Sequence, residues 1–275
     1  MYNLIVDYWK KNKSIVKYRI IWILGVAGFI ISIAYTIYYK VYGYWFISYL
    51  YIRILLFFTN NIALHRYFAH KSFKTGIKRH IFLAWLTVLA GSSSPFAWAI
   101  QHRHHHLYAD TKNDLHSPLV NKWKSMFGTW AIMPMSFWIK KEVKTIPEDL
   151  YRDTTVMFIH KNYYKIWSLI FLIAFILGGW EFCLFYVLAP VGWNLFHGSL
   201  NNYFNHLKIP GSYRNYDTDD NSQNHKLINI FLLGEGLHNN HHAEAWNYNQ
   251  AHRKDEFDLG AWITRRLFVL KDSIN

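Results

Sequence analysis

The chain has 275 residues, a formal net charge of +13, and a composition that is 52% hydrophobic and 19% aromatic. Little proline, modest glycine and abundant aromatics exclude a disordered or collagen-like chain. The single cysteine, Cys183, excludes a disulfide framework and any thiolate-bound structural zinc or iron–sulfur site. Sixteen histidines remain to be explained.

A mean hydropathy of −0.03 averages apolar runs with a charged remainder. From Ile20 to Tyr39 no residue is charged, enough helix to cross a bilayer core of ~30 Å. A second run, Tyr44 to Leu64, carries only Arg53, whose charge would be costly inside a membrane. Ile81–Ala90 and Met126–Ile139 are too short to span and read as interfacial or buried helices. Ile166–Trp180 is the third span, Gly178–Gly179 a hinge, and 182–204 the fourth, with Pro190 expected to kink it. Trp262–Leu270, with its Arg265–Arg266 pair, reads as a final interfacial helix. The N-terminal stretch is too polar, and its first apolar run too long, for a cleaved signal peptide.

Lys and Arg number five in residues 1–19, two in 20–65, fifteen in 66–165, none in 166–200 and eight in 201–275. By the positive-inside rule both termini and the 66–165 segment are cytoplasmic. The expected architecture is an all-α polytopic membrane protein, one domain over 1–275. Four transmembrane helices in two hairpins (about 20–39, 44–64, 166–180 and 182–204) carry a cytoplasmic helical cap (about 65–165 and 205–275). The basic balance would also suit nucleic acid, but no RRM, KH or zinc-finger pattern accompanies it, and membrane lipid is the better partner.

Three histidine clusters all fall on the cytoplasmic side: H-R-Y-F-A-H (65–70), H-R-H-H-H (102–106) and H-N-N-H-H (238–242). On a helix, positions i, i+3 and i+4 share a face, so each H-x-x-H-H segment presents three imidazoles as a facial cap for a metal. His65 and His70, five apart, diverge on a regular α-helix and are expected to serve different metals or to straddle a helix end. So many imidazoles exceed one tetrahedral zinc and suit two metals with open positions. The ligands must be neutral, so binding should weaken as pH falls through the ~6.5 of free histidine. A His-rich buffering loop is the bland alternative, but such loops are low in complexity and these clusters are not.

These boxes, in this order, resemble the integral-membrane acyl-CoA fatty-acid desaturases of delta-9 (stearoyl-CoA) type. Gly234-Glu235-Gly236-Leu237-His238-Asn239-Asn240-His241-His242 matches the family's third box at every fixed position. Asn202-Tyr203-Phe204-Asn205-His206 supplies its N-x-x-x-H element; Asp110–Pro118 and Arg214-Asn215-Tyr216 also look familial. The resemblance implies two iron ions held by His65, His70, His102, His105, His106, His206, His238, His241 and His242, with Asn202 reaching one iron through water. It implies O2-dependent removal of two hydrogens from a saturated fatty acyl chain, as its coenzyme A thioester at the delta-9 position, leaving a cis double bond and water. The reductant is expected to be a separate donor, a b-type cytochrome or a ferredoxin. The residues themselves leave the acyl carrier open between coenzyme A, carrier protein and lipid.

The family pattern passes over His104, expected to be outer or surface, while His80, His160, His225 and His252 read as solvated or interfacial, and His116 and His197 as structural. Asp110, Asp114, Glu235 and Glu244 are candidates to orient imidazoles, Glu235 foremost. A tail of about eight carbon–carbon steps beyond a delta-9 carbon reaches roughly 10 Å, or about seven helix positions from His65. Phe57 or Phe58 is therefore expected to floor the substrate tunnel. Lys71, Lys74, Lys78 and Arg79 read as lipid-facing cations more than as a coenzyme A site. A membrane di-iron hydroxylase or sterol oxidase is the rival enzyme; a metal transporter or metal-binding membrane protein is the rival outside enzymes.

Overall fold

The structure, a computed structural model, describes residues 14–114, 116–127 and 147–270. Most of the expected Met126–Ile139 helix lies outside them. Helix α1 covers Ser14–Tyr39, and α2 covers Tyr42–Leu56 and runs without a break into a π-helical segment, Phe57–Ala69. Then come α3 (Ile77–Leu89), α4 (Pro95–Tyr108), α5 (Pro118–Asn121) with a following 3₁₀ turn, and α6 (Glu148–Tyr151). The long α7 (Thr154–Cys183) leads through a π-helical turn, Leu184–Leu188, into α8 (Ala189–Asn205). Short helices α9 (Lys226–Phe231), α10 (His238–Ala243) and α11 (Leu259–Leu267) complete the order. Among the described residues there is no strand, only isolated bridges Tyr213–Asn224 and Asn224–Leu237.

Among the described residues three helical runs are long and apolar enough to cross a membrane: Tyr18–Tyr39, Tyr42–Ala69 and Thr154–Asn205. The third has 52 residues, but it is not straight. Gly179 adopts φ 71°, ψ −170°, and Cys183 Sγ reaches back to the carbonyl of Phe171 at 3.6 Å. Twelve residues of continuous helix would separate these by ~18 Å. The chain reverses here because only glycine takes that dihedral without strain. Pro190 lies in the first turn of α8 directly after the π-helical turn; the extra residue per turn accommodates the missing proline N–H. Both outer boundaries extend past the expected spans. Helix α7 starts twelve residues before Ile166, because its first turns are polar and Asp153 caps them through Val156 N at 3.0 Å.

The core lies between these helices. Helices α1 and α8 meet at Gly25 and Gly192, where a Cβ on Gly192 would sit 2.4 Å from the Gly25 carbonyl oxygen; small residues permit this close approach. Helix α3 buries Leu83, Ala84, Thr87 and Val88 and exposes Ile77, Ile81, Phe82 and Trp85, as expected of an interfacial helix.

Candidate metal centre

The nine expected imidazoles converge as two adjacent groups. Ligand atoms of His65, His70, His102, His106 and His241 lie within 4.8 Å of one another, as do those of His105, His206, His238 and His242. The groups touch: the His106 and His242 rings stack with centroids 4.3 Å apart. Each H-x-x-H-H box is divided between them. Its i, i+4 pair, His102/His106 or His238/His242, points one way, and its i+3 member, His105 or His241, points the other. The expectation of one facial cap per box is thereby corrected: the i+3 side chain leans 60° off the first and 100° off the fifth position.

His65 and His70 fall in the same group, with ring centroids 5.0 Å apart. The expected divergence assumed an α-helix. Here His70 N donates to His65 O at 3.1 Å, an i→i+5 bond, so the π-helical winding returns residue 70 to the face of residue 65. His70 also caps the segment, so the pair straddles a helix end while both rings fall in one group. Arg103 fixes this end against α4, donating to the carbonyls of Ala69 (2.7 Å) and Phe68 (3.1 Å) and pairing with Asp149 at 3.1 Å.

Electrostatics prepare the groups for cations. Nδ1 of His65, His105, His206 and His242 lies 2.6, 3.0, 2.8 and 2.6 Å from carboxylate oxygens of Glu235, Asp114, Asp110 and Asp220. A carboxylate at Nδ1 holds the proton there and leaves Nε2 as a lone pair. Burial pushes Asp110, Asp114, Asp220 and Glu235 up, but their histidine partners more than offset it, and all four sit below the usual carboxylate range. Burial, then neighbouring imidazoles, holds His70, His102, His106, His238 and His241 well below 6.5. Burial also takes His242 down to about 4. For His105 burial lowers the value, and Asp114 outweighs it and leaves it raised.

In the first group Nε2 atoms approach in a chain: His65–His241 2.9 Å, His241–His106 3.0 Å, His106–His102 3.1 Å and His102–His70 2.8 Å. A ring nitrogen carries one proton or one lone pair, so hydrogen bonding satisfies at most two of these four contacts. Two ligands ~2.1 Å from a shared ion at right angles are themselves about 3.0 Å apart. In the second group His105 Nε2 and His206 Nε2 are buried without a hydrogen-bond partner. Neutral imidazoles suit iron, copper, nickel and zinc, and two irons fit this donor set.

A cavity opens beside the first group, lined by Phe57, Asn60, His65, Trp98, Asn202 and Leu233 among others. Trp98 stacks on His102 with centroids 4.6 Å apart. Phe57, a buried member of the core, lines this cavity; Phe58 is partly buried against that core and is not among the lining residues. The model of the fatty acid desaturase family matches residues 43–261. The chain belongs to the fatty acid desaturase family. It is 32% identical over 211 residues to the sn-1 stearoyl-lipid 9-desaturase of Anabaena variabilis, covering 76% of this chain and 74% of that one. To delta-9 acyl-lipid desaturase 2 of Arabidopsis thaliana it is 29% identical, covering 74% of this chain and 65% of the relative. To stearoyl-CoA desaturase 5 of Bos taurus it is 28% identical, covering 72% and 61%. The chain thus spans a little under two thirds of the latter two relatives. As a member of this family it is an oxidoreductase of lipid metabolism, and its apolar helices are those of a membrane protein.

The remaining candidates of this desaturase separate cleanly. His104 is buried, with Nε2 3.1 Å from the Asn113 carbonyl, and belongs to neither group. His160 and His225, expected to be solvated or interfacial, are buried. His160 Nδ1 meets Ser94 Oγ at 2.7 Å, and His225 caps α9 through Ile228 N at 3.2 Å. Glu244 orients no member of the groups; its carboxylate faces His252 at 3.8 Å and Asn247. Arg53 donates to the Phe231 carbonyl and lies 5.3 Å from that ring's centroid.

Sequence reasoning missed Asp220, twenty-two residues from the His242 it holds, and Arg66. Arg66, 1% exposed, sits 3.1 Å from Asp258 and 3.8 Å from Glu235. It also missed why two asparagines interrupt the third box. Asn239 Oδ1 accepts from the backbone of Asn215 and Tyr216 (2.8 and 2.9 Å), and Asn240 Nδ2 donates to the Gln250 carbonyl at 2.8 Å. Asn224 Oδ1 accepts from both of their backbone N–H groups. These bonds pin the short α10 where its own two turns could not.

Proposed function

We propose that the protein desaturates a saturated fatty acyl chain at the delta-9 position, using O2, two iron ions and electrons from a separate donor. The observation that carries this reading is the division of nine buried or half-buried imidazoles into two touching groups beside a cavity. When bound, the two irons supply the oxidising power toward an unactivated methylene that no side chain provides. The chain's own residues have other tasks. Asp110, Asp114, Asp220 and Glu235 fix imidazole tautomers, and burial keeps the remaining rings neutral and ready to ligate. Asn202, on the cavity wall one helical turn before His206, would help hold one metal through water. Trp98 walls the cavity and holds His102, while Phe57 bounds the acyl tail.

In this reading the chain crosses the membrane four times: α1, α2 with its π-helical extension, and the arms on either side of Gly179. The 52-residue run supports this, since ~20 residues suffice for one crossing. Both termini, the 65–165 segment and the metal centre face the cytoplasm, supported by the scarcity of Lys and Arg at the hairpin tips. The relatives are named for both lipid-borne and CoA-borne chains. Expression in a desaturase-deficient host, with fatty acids resolved by gas chromatography, tests the reading. A new cis-9 monoenoic acid is expected. A hydroxylated product, or no new species from iron-loaded protein with a working donor, would refute it.

A further inference from the structure

Arg53 is an ion within an apolar helical run, Tyr42–Ala69, which is long enough to cross a membrane. Charge at that depth is costly and is retained where it has a task. Its guanidinium donates to the backbone carbonyl of Phe231, the last residue of α9, and lies over the Phe231 and Tyr49 rings at 5.3 and 6.0 Å. The end of α9 therefore lies at the level of the Arg53 guanidinium.

The outward side of α9 is apolar and uncovered: Leu227 and Ile230 are each 74% exposed, and Phe231 is 44% exposed. The next two residues, Leu232 and Leu233, line the cavity beside the metal centre, as Phe57 does. One segment therefore separates that cavity from the outside. It ends at a hinge, Leu233 at φ 60° and Gly234 at φ 100°, and a leucine with positive φ is held there against its preference. Asn61 Nδ2 donates to the Leu233 carbonyl at 2.8 Å, a second tether on the same strap.

We propose that α9 with Leu232–Leu233 is a lateral portal, latched by Arg53, through which the acyl chain of a membrane glycerolipid enters the cavity directly from the bilayer. This rests on the acyl desaturase reading above. An exposed apolar helix at the depth of an intramembrane arginine contacts lipid tails, so a chain passing here never leaves hydrocarbon. The headgroup stays at the interface while the tail slides under α9. Arg53 acts as a positioning residue, through the backbone of Phe231.

The test uses iron-loaded, full-length protein with its electron donor in vesicles of distearoyl phosphatidylcholine. In a Cys183→Ala background, Arg53→Cys and Phe231→Cys are joined by a short, cleavable thiol cross-linker. Joining should cut desaturation of vesicle lipid roughly tenfold or more, with iron content unchanged, and cleavage should restore it. An equal rate in the joined and cleaved states would overturn the portal. So would an unmodified enzyme that desaturates stearoyl-CoA but no vesicle lipid, and there the desaturase reading stands. Failure on both substrates would instead sink that reading, and with it the portal. An independent check is Ile230→Trp: lipids brominated on their acyl chains should quench its fluorescence, and absence of quenching would remove α9 from the bilayer.

Discussion

Replacing Glu235 by Gln tests whether carboxylates, and not merely hydrogen-bond acceptors, prepare the imidazoles. Glu235 is buried, 2.6 Å from His65 Nδ1 and 3.8 Å from Arg66. Glutamine keeps the shape and an acceptor oxygen but removes the charge that polarises His65. Losses of this kind cost ~10–100-fold in metal affinity, equivalent to ~1.4–2.7 kcal/mol. The fold suffers less, because Arg66 keeps its nearer partner, Asp258 at 3.1 Å. A stability loss of ~1–3 kcal/mol is expected, toward the lower end. The assay titrates iron-loaded protein with a chelator and follows retained iron by mass spectrometry, alongside thermal unfolding. Glu235→Gln should release the metal of the His65 group at a lower chelator concentration, and Glu244→Gln should overlay the wild type. Overlay of Glu235→Gln with the wild type, iron and stability alike, would refute the reasoning.

Four further outcomes follow from the same geometry. His104→Ala should retain both metals, while His105→Ala should lose the one in the four-imidazole group; equal metal content in the two variants would count against the partition. Metal-free protein should lose stability as pH falls from about 6.5 toward about 4, read by urea titration at several pH values. Unfolded imidazoles bind protons there that the buried rings, with His242 at about 4, do not; above that window the term vanishes, and flat stability across it would contradict the burial. Gly260→Ala should lower the melting temperature at a cost of ~1–3 kcal/mol, because its Cβ would fall 2.1 Å from Arg66 Nη1; unchanged melting would show that Arg66 shifts freely. Phe57→Ala should change the chain length of the product measured by gas chromatography and Phe58→Ala should not, since only Phe57 lines the cavity.

The histidine boxes were legible because ligand spacing on a helix leaves a mark in sequence. Their division between two centres was not, because it turns on the outward lean of His105 and His241 and on the π-helical winding that brings His70 back beside His65. Residue patterns report which positions are apolar, and a segment that buries ten of its thirteen residues shows no period to tell α from π. The apolar runs announced the long helices, and the Gly178–Gly179 pair announced their reversal. The first turns of α7 stayed hidden behind polar Lys161, Asn162 and Lys165. Asp110, Asp114 and Glu235 were found by nearness to a box; Asp220 was not, since it reaches His242 through an irregular loop. That loop is organised by side-chain bonds among Asn215, Asn224, Asn239 and Asn240, which carry no periodicity to read.

The two-centre arrangement is tested most directly by Mössbauer spectroscopy of purified protein loaded with ⁵⁷Fe, with iron per chain counted on the same sample. Two irons per chain are predicted, in two components of equal area, one for the five-imidazole group and one for the four. A single iron, one component at one metal per chain, or zinc held in preference to iron would contradict the account.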